Sequence, residues 1–257
     1  VALQSGHVPV SPDLVERAIT LNGVAVEKNL AAFAWGRAWV AEPEATLAAA
    51  GIVADEPLPP LRERLVADLT AYQSAAYARQ FVEVIDRVQA LGHSELTDAV
   101  MVHLHKLMAY KDEYEVARLL LLPESRAQAE AVGGPRTRVT WLLHPPALRV
   151  VGWRNKIHFG RLSKPAFFAL RALRRVRGTP FDAFGWAKLR RMERALVGEY
   201  VAAVDQLLPL VTEANLAEAV AIASLPDKVR GYEHLKVERA TAYRAELSHR
   251  LAAFRSA

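Results

Sequence analysis

Three adjacent charged residues, Lys111, Asp112 and Glu113, stand in a segment from Lys106 to Arg118 that is dense in charge and tyrosine. Two carboxylates beside a lysine can bind a polar substrate or move a proton. The same residues also suit a junction where two helices meet, with Tyr110 and Tyr114 packing and Glu115 pairing to Arg118 or Lys111. No second catalytic element accompanies the cluster, so the junction is the preferred reading. His103 and His105 are two apart on an expected helix. They point to different faces and cannot clamp one metal as an i, i+4 pair would.

Other chemistries are excluded more firmly. The chain of 257 residues has no cysteine, which removes a disulfide framework, a thiol nucleophile and a cysteine-ligated iron–sulfur cluster within this chain. Gly133-Gly134 precedes no expected helix, and neither a dinucleotide-binding nor a P-loop glycine pattern is present. No residue is therefore assigned as catalytic, cofactor-binding or metal-ligating.

The net charge of +5 is unevenly placed: from Arg154 to Arg194 the only acids are Asp182 and Glu193. Arg171 and Arg175 are four apart, as are Arg190 and Arg194, so each pair shares one helical face. With Arg191 they form a candidate interface, because guanidinium forks hold carboxylates in bidentate geometry. A nucleic-acid surface would use the same arginines with interleaved aromatics. Phe167, Phe168 and Leu170 fit a core face between the basic positions instead, so a core face with solvated arginines is preferred over any specific partner, and a contact with carboxylates of a neighbouring domain is the reading if the chain belongs to a larger enzyme. In the loop from Arg177 to Gly185, Asp182 is placed to accept backbone N–H groups, with Phe181 and Phe184 as anchors.

The elements that must position these residues are mostly helices. Hydrophobic residues are 52% of the chain and charged residues 24%, a composition that builds a core without staples. Ser11 caps a helix with Pro12 in its first turn, Asn22-Gly23 breaks it, and a second helix follows over about 24–39. The Ala/Pro-rich stretch 42–60 reads as a linker. A long helix is expected over about 61–91, with Leu65, Leu69, Tyr72, Ala76, Phe81, Ile85 and Val88 as its buried stripe and Gly92 as its stop. Ser94 caps the next helix, and a further one runs from Glu113 until Pro123 stops it. Between Gly134 and Pro165 the apolar pattern alternates, so Arg138–Leu143 and Lys156–Phe159 are expected to form a small antiparallel sheet, with 148–151 as a further strand. Helices then resume over about 165–177, 186–208, 212–225 and 232–254. The fold class is mainly α, a multi-helix domain with a small antiparallel sheet near 137–160.

Four separated blocks, in order, resemble one family. Ala18–Asn29 with Ala32–Arg37 is similar to the end of the gamma-type domain of fused indolepyruvate ferredoxin oxidoreductases. Leu107–Leu119, then Arg177–Asp182 with Arg190–Arg194, then Leu225-Pro226 with Val229–Lys236, resemble the helical region that follows it. The resemblance implies a domain end at 1–41, the linker 42–60 and a C-terminal helical domain at 61–257. It implies a complete enzyme that decarboxylates aryl or branched 2-oxoacids on thiamine diphosphate and magnesium, forms an acyl-CoA and reduces ferredoxin through iron–sulfur clusters. The thiamine-binding and cysteine-rich parts lie outside the matched blocks, so no catalytic residue carries over. The expected partners are the remaining domains or subunits of such an enzyme, in a homo-oligomer. The chain starts without Met and without a signal-like segment, as a cytoplasmic fragment or processed subunit does, and no apolar run approaches the ~20 residues of a membrane span. A stand-alone basic module for an acidic protein or nucleic acid is the alternative.

Overall fold

The computed structural model describes residues 1–51, 58–134, 136–143, 157–231 and 233–256. The chain divides into two compact units, Val1–Pro59 and Pro60–Ala257. The first holds α1 (Pro12–Asn22), α2 (Val26–Ala41) and α3 (Pro43–Ala49). Ser11 is the N-cap of α1, its hydroxyl accepting from the Leu14 amide, and Gly23 closes the helix at φ 70°. Helix α3 occupies part of the stretch read as a linker: its proline at the first turn starts the helix, and the alanines that follow it are strong helix formers. None of the three helices contains a buried residue.

The second unit is built around α6 (Ser94–Met108). Leu96, Val100, Leu104, Leu107 and Met108 recur at spacings of three and four and are buried, so one wide stripe of α6 faces inward. Against it pack α4 (Leu61–Tyr72), α5 (Ala75–Gln89), α10 (Lys188–Leu207) and α11 (Leu216–Ala223). The C-terminal α12 (Glu233–Ser256) lies on α10 and α11. A second layer begins with α7 (Glu113–Leu120) and α8 (Pro123–Gly133) and continues through β1 (Trp141–Leu143) and β2 (Ile157–Phe159) to α9 (Lys164–Ala172). Strands β1 and β2 pair antiparallel, Trp141 opposite Phe159. Their aromatic side chains cover the buried Phe167 of α9, with ring centroids 5.3 Å and 5.8 Å away.

The mainly helical class and the two-stranded sheet agree with the sequence pattern. Lys156 and the strand read over 148–151 lie outside the described residues. Several local readings are corrected. The 61–91 helix is two helices, because Ser74 turns extended (φ −169°) and caps α5 by accepting from the Tyr77 amide at 3.2 Å. The break shifts the register, so Ala76 is exposed and the stripe runs on through Ala78, Phe81, Val84, Ile85 and Val88. Ser94 is the first residue of α6 rather than its cap, which falls on His93. Pro123 opens α8 as well as ending the segment before it, since proline fits a helix's first turn. Among the described residues no helix is long and apolar enough to cross a membrane.

Candidate functional site

The junction between α6 and α7 is where the sequence-derived candidates meet. Asp112 is extended (φ −100°, ψ −175°) and caps α7, accepting from the Glu115 amide at 2.8 Å. Arg177 arrives at the end of the short 3-10 turn Leu173–Val176, which packs against α7. Its Nε and Nη2 donate to the two Asp112 carboxylate oxygens at 2.5 Å and 2.8 Å. Its Nη1 donates to the Tyr72 carbonyl at 2.7 Å, one of the orphan carbonyls at the end of α4. The guanidinium plane also lies 3.7 Å from the Tyr72 ring centroid, a stacked cation–π contact. One arginine therefore ties the end of α4 to the start of α7. Burial opposes the charge on Arg177, but the hydrogen bonds it donates to Asp112 prevail, and its pKa is raised. Burial also pushes the Tyr72 hydroxyl well up, so it stays protonated and donates to the Tyr110 carbonyl at 3.0 Å.

Asp182 organises the loop that follows. It accepts from the Gly178 amide at 2.8 Å, the Gly185 amide at 2.9 Å and the Tyr114 hydroxyl at 3.2 Å. A Cβ on Gly185 would sit 2.2 Å from the Asp182 carboxylate, so the loop closes only with glycine there. Phe184 packs edge-on to Tyr114 with centroids 5.1 Å apart, whereas Phe181, read as a second anchor, is exposed.

Arg190 and Arg194 of α10 turn inward. Arg190 donates to Glu193 at 2.7 Å and to Glu113 at 3.4 Å. Arg194 donates to the Gly185 carbonyl at 2.5 Å and lies 3.4 Å from Asp182. Lys236 of α12 donates to Glu193. Asp182 and Glu193, the two acids of the basic stretch, are thus buried and draw in its cations. Nearby, Arg118 holds Glu115 at 2.8 Å and Asp68 at 2.7 Å, and Asp68 also meets His105 at 3.0 Å. The His105 hydrogen bond, with help from Arg118, holds the Asp68 carboxyl below its usual range. The structure brings together Asp112, Glu113, Arg190 and Arg194. It leaves Lys111, Arg171, Arg175 and Arg191 on the surface. An outward interface face for Arg190 and Arg194 is corrected by these internal pairs. The central role of Arg177 was missed; a lone pair of acids inside an arginine-rich stretch was the signal that such inward pairs exist.

Glu113 gives a pH test. Burial, only partly opposed by Arg190, raises its pKa above the ordinary 4.5. A raised folded-state pKa means a contribution that is complete below the unfolded value and is lost as pH rises through the folded one. The stability of the wild type minus that of Glu113→Gln is therefore expected to be greatest at acid pH and to fall as pH rises above the ordinary carboxyl range. Urea unfolding of both proteins from acid to neutral pH measures it.

Beside the network lies a cleft of about 660 Å³ bordered by Gln73, Tyr77, Tyr110, Arg177 and Arg194. Each carboxylate of the network is held by a cation or a backbone amide of the same chain, which leaves none placed as a free base. Among the described residues no group of three or more histidine or acidic side chains is arranged to hold a metal. Residues 58–249 match the family of unknown function DUF6537. The chain belongs to that family. The match begins just before α4 and covers the whole charged network. Searches of curated proteins and of solved structures returned no match.

Proposed function

We propose that the chain is the C-terminal, non-catalytic part of a thiamine diphosphate- and iron–sulfur-dependent 2-oxoacid:ferredoxin oxidoreductase of the indolepyruvate type. In it, residues 61–257 act as a scaffold and interface domain in the cytoplasm. One observation carries this reading. Three of the four blocks of sequence that resemble the family converge on one charged network: Asp112, Glu115 and Arg118 from one, Arg177, Asp182, Arg190, Glu193 and Arg194 from the next, Lys236 from the last. These partners satisfy one another, as parts of a framework do, and offer no free base or nucleophile. The exposure of Trp35, Trp39, Leu21 and Val24 in the first unit suits the end of a larger domain.

The interface surface is carried by the arginines that remain outward. Arg171 and Arg175 are exposed, and between them the Arg174 Nε is buried with no partner among the described residues. Burial and the neighbouring Arg175 and Arg171 lower the Arg174 pKa. Crowded like charges of this kind are relieved by a carboxylate from another surface. The pure chain, supplied with an aryl 2-oxoacid, thiamine diphosphate, magnesium, CoA and an electron acceptor, should give no turnover. Sustained acyl-CoA formation by the chain alone would overturn the assignment.

A further inference from the structure

A second cleft, at the other end of α7 from its Asp112 cap, has a different character. It holds about 950 Å³ and lies between the leucine run that ends α7, the start of α8, the stretch 136–140 and one side of α9. Among the described residues its charged lining is Arg126, Arg136, Arg138 and Lys164, with no carboxylate. Glu130, outside the lining, takes Arg126 at 2.5 Å. Trp141 and Phe168 supply flat apolar walls.

The stretch that carries two of these cations is fixed in place. Thr137 sits against Gly133, where an added Cβ would come within 2.4 Å of its hydroxyl. That hydroxyl donates to the Gly134 carbonyl at 2.7 Å. Along this stretch Arg136 and Arg138 are exposed while Thr137 and Val139 are half-buried. Lys164 and Phe168 are one helical turn apart on α9 and face the same space. Arg136 and Arg138 from one stretch and Lys164 from α9 gather like charge at one concavity, and an entering anion relieves their mutual repulsion. The volume is at the upper end of small-molecule sites, roughly 300–1,000 Å³.

We propose that this cleft binds a small organic anion, its phosphate or carboxylate head held by Arg136, Arg138 and Lys164 and its apolar body against Trp141 and Phe168. Arginine forks suit either head group, and the aromatic walls discriminate against a bare inorganic ion. The proposal stands apart from the oxidoreductase assignment and does not depend on it.

Calorimetric titration of the full chain with phenyl phosphate, benzoate, inorganic phosphate and benzyl alcohol decides it. Saturable one-to-one binding of phenyl phosphate or benzoate is expected, and the tighter of the two names the head group. Inorganic phosphate should bind about tenfold more weakly or worse, and benzyl alcohol should not bind. The double variant Arg138→Ala, Lys164→Ala should lose about tenfold or more in affinity with an unchanged melting curve. Phe168→Ala, at an exposed position, should weaken phenyl phosphate and leave inorganic phosphate unaffected. No saturable binding of either aromatic anion, or equal binding by the double variant, would overturn the proposal. Equal affinity for inorganic phosphate would overturn its apolar half.

Discussion

Asp112→Ala should destabilise the second unit by about 3–5 kcal/mol, the usual cost of removing one partner from a buried ion pair. Both side chains of the Asp112–Arg177 pair are nearly inaccessible, 3% and 2% exposed. The variant would leave a guanidinium buried among Tyr72, Tyr110 and Tyr114 with its charge uncompensated, and would uncap α7. A domain of this size loses roughly 2–4 °C of melting temperature per kcal/mol, so the midpoint should drop by roughly 6–20 °C. The double variant Asp112→Asn, Arg177→Met should recover much of this, because an apolar side chain needs no counter-charge. What remains is the lost contact to the Tyr72 carbonyl. Thermal unfolding followed by circular dichroism measures all three proteins. A single variant that melts with the wild type would show that the pair does not hold the junction.

Asp182→Ala should come next, at about 2–4 kcal/mol, since each buried donor left without an acceptor costs about 1–3 kcal/mol. The carboxylate serves the Gly178 and Gly185 amides and the Tyr114 hydroxyl at once. Gly178 is exposed and water can replace its partner, whereas Gly185 is buried. Asp182→Asn keeps one oxygen acceptor and should cost about half as much, because the amide nitrogen that replaces the other oxygen cannot accept from a backbone N–H. Hydrogen exchange at Gly185 should quicken in Asp182→Ala more than in Asp182→Asn. Equal exchange in both variants and the wild type would mean that Asp182 does not organise the loop.

The sequence was readable where one local rule decided the outcome. Ser11 and Gly23 bound α1 because capping needs only neighbours in the chain. The alternation around Trp141 and Phe159 marked strands because a two-residue period has no helical reading. Asp182 was recognised as a turn acceptor from the small residues around it. Reading stopped where long-range pairing took over. The spacing of Arg190 and Arg194 correctly put them on one face, but spacing has no sign, and that face points to Glu113, Glu193 and Asp182. Arg177 and Asp112 are 65 positions apart, and nothing local marks one as the other's partner. The break at Ser74 was hidden because the residues on both sides are good helix formers.

The proposed role, an interface domain of a larger oxidoreductase, can be tested directly. Its most direct measurement is sedimentation of the chain with the separately produced thiamine- and cluster-bearing parts of such an enzyme. A complex of fixed stoichiometry is expected. Association should weaken as salt rises and weaken further in Arg171→Glu, Arg175→Glu, whose side chains are at the surface and whose fold should be unchanged. Independent sedimentation of the components at every salt concentration would contradict it, as would tight, saturable binding of the pure chain to nucleic acid at ~150 mM salt that the same reversals abolish.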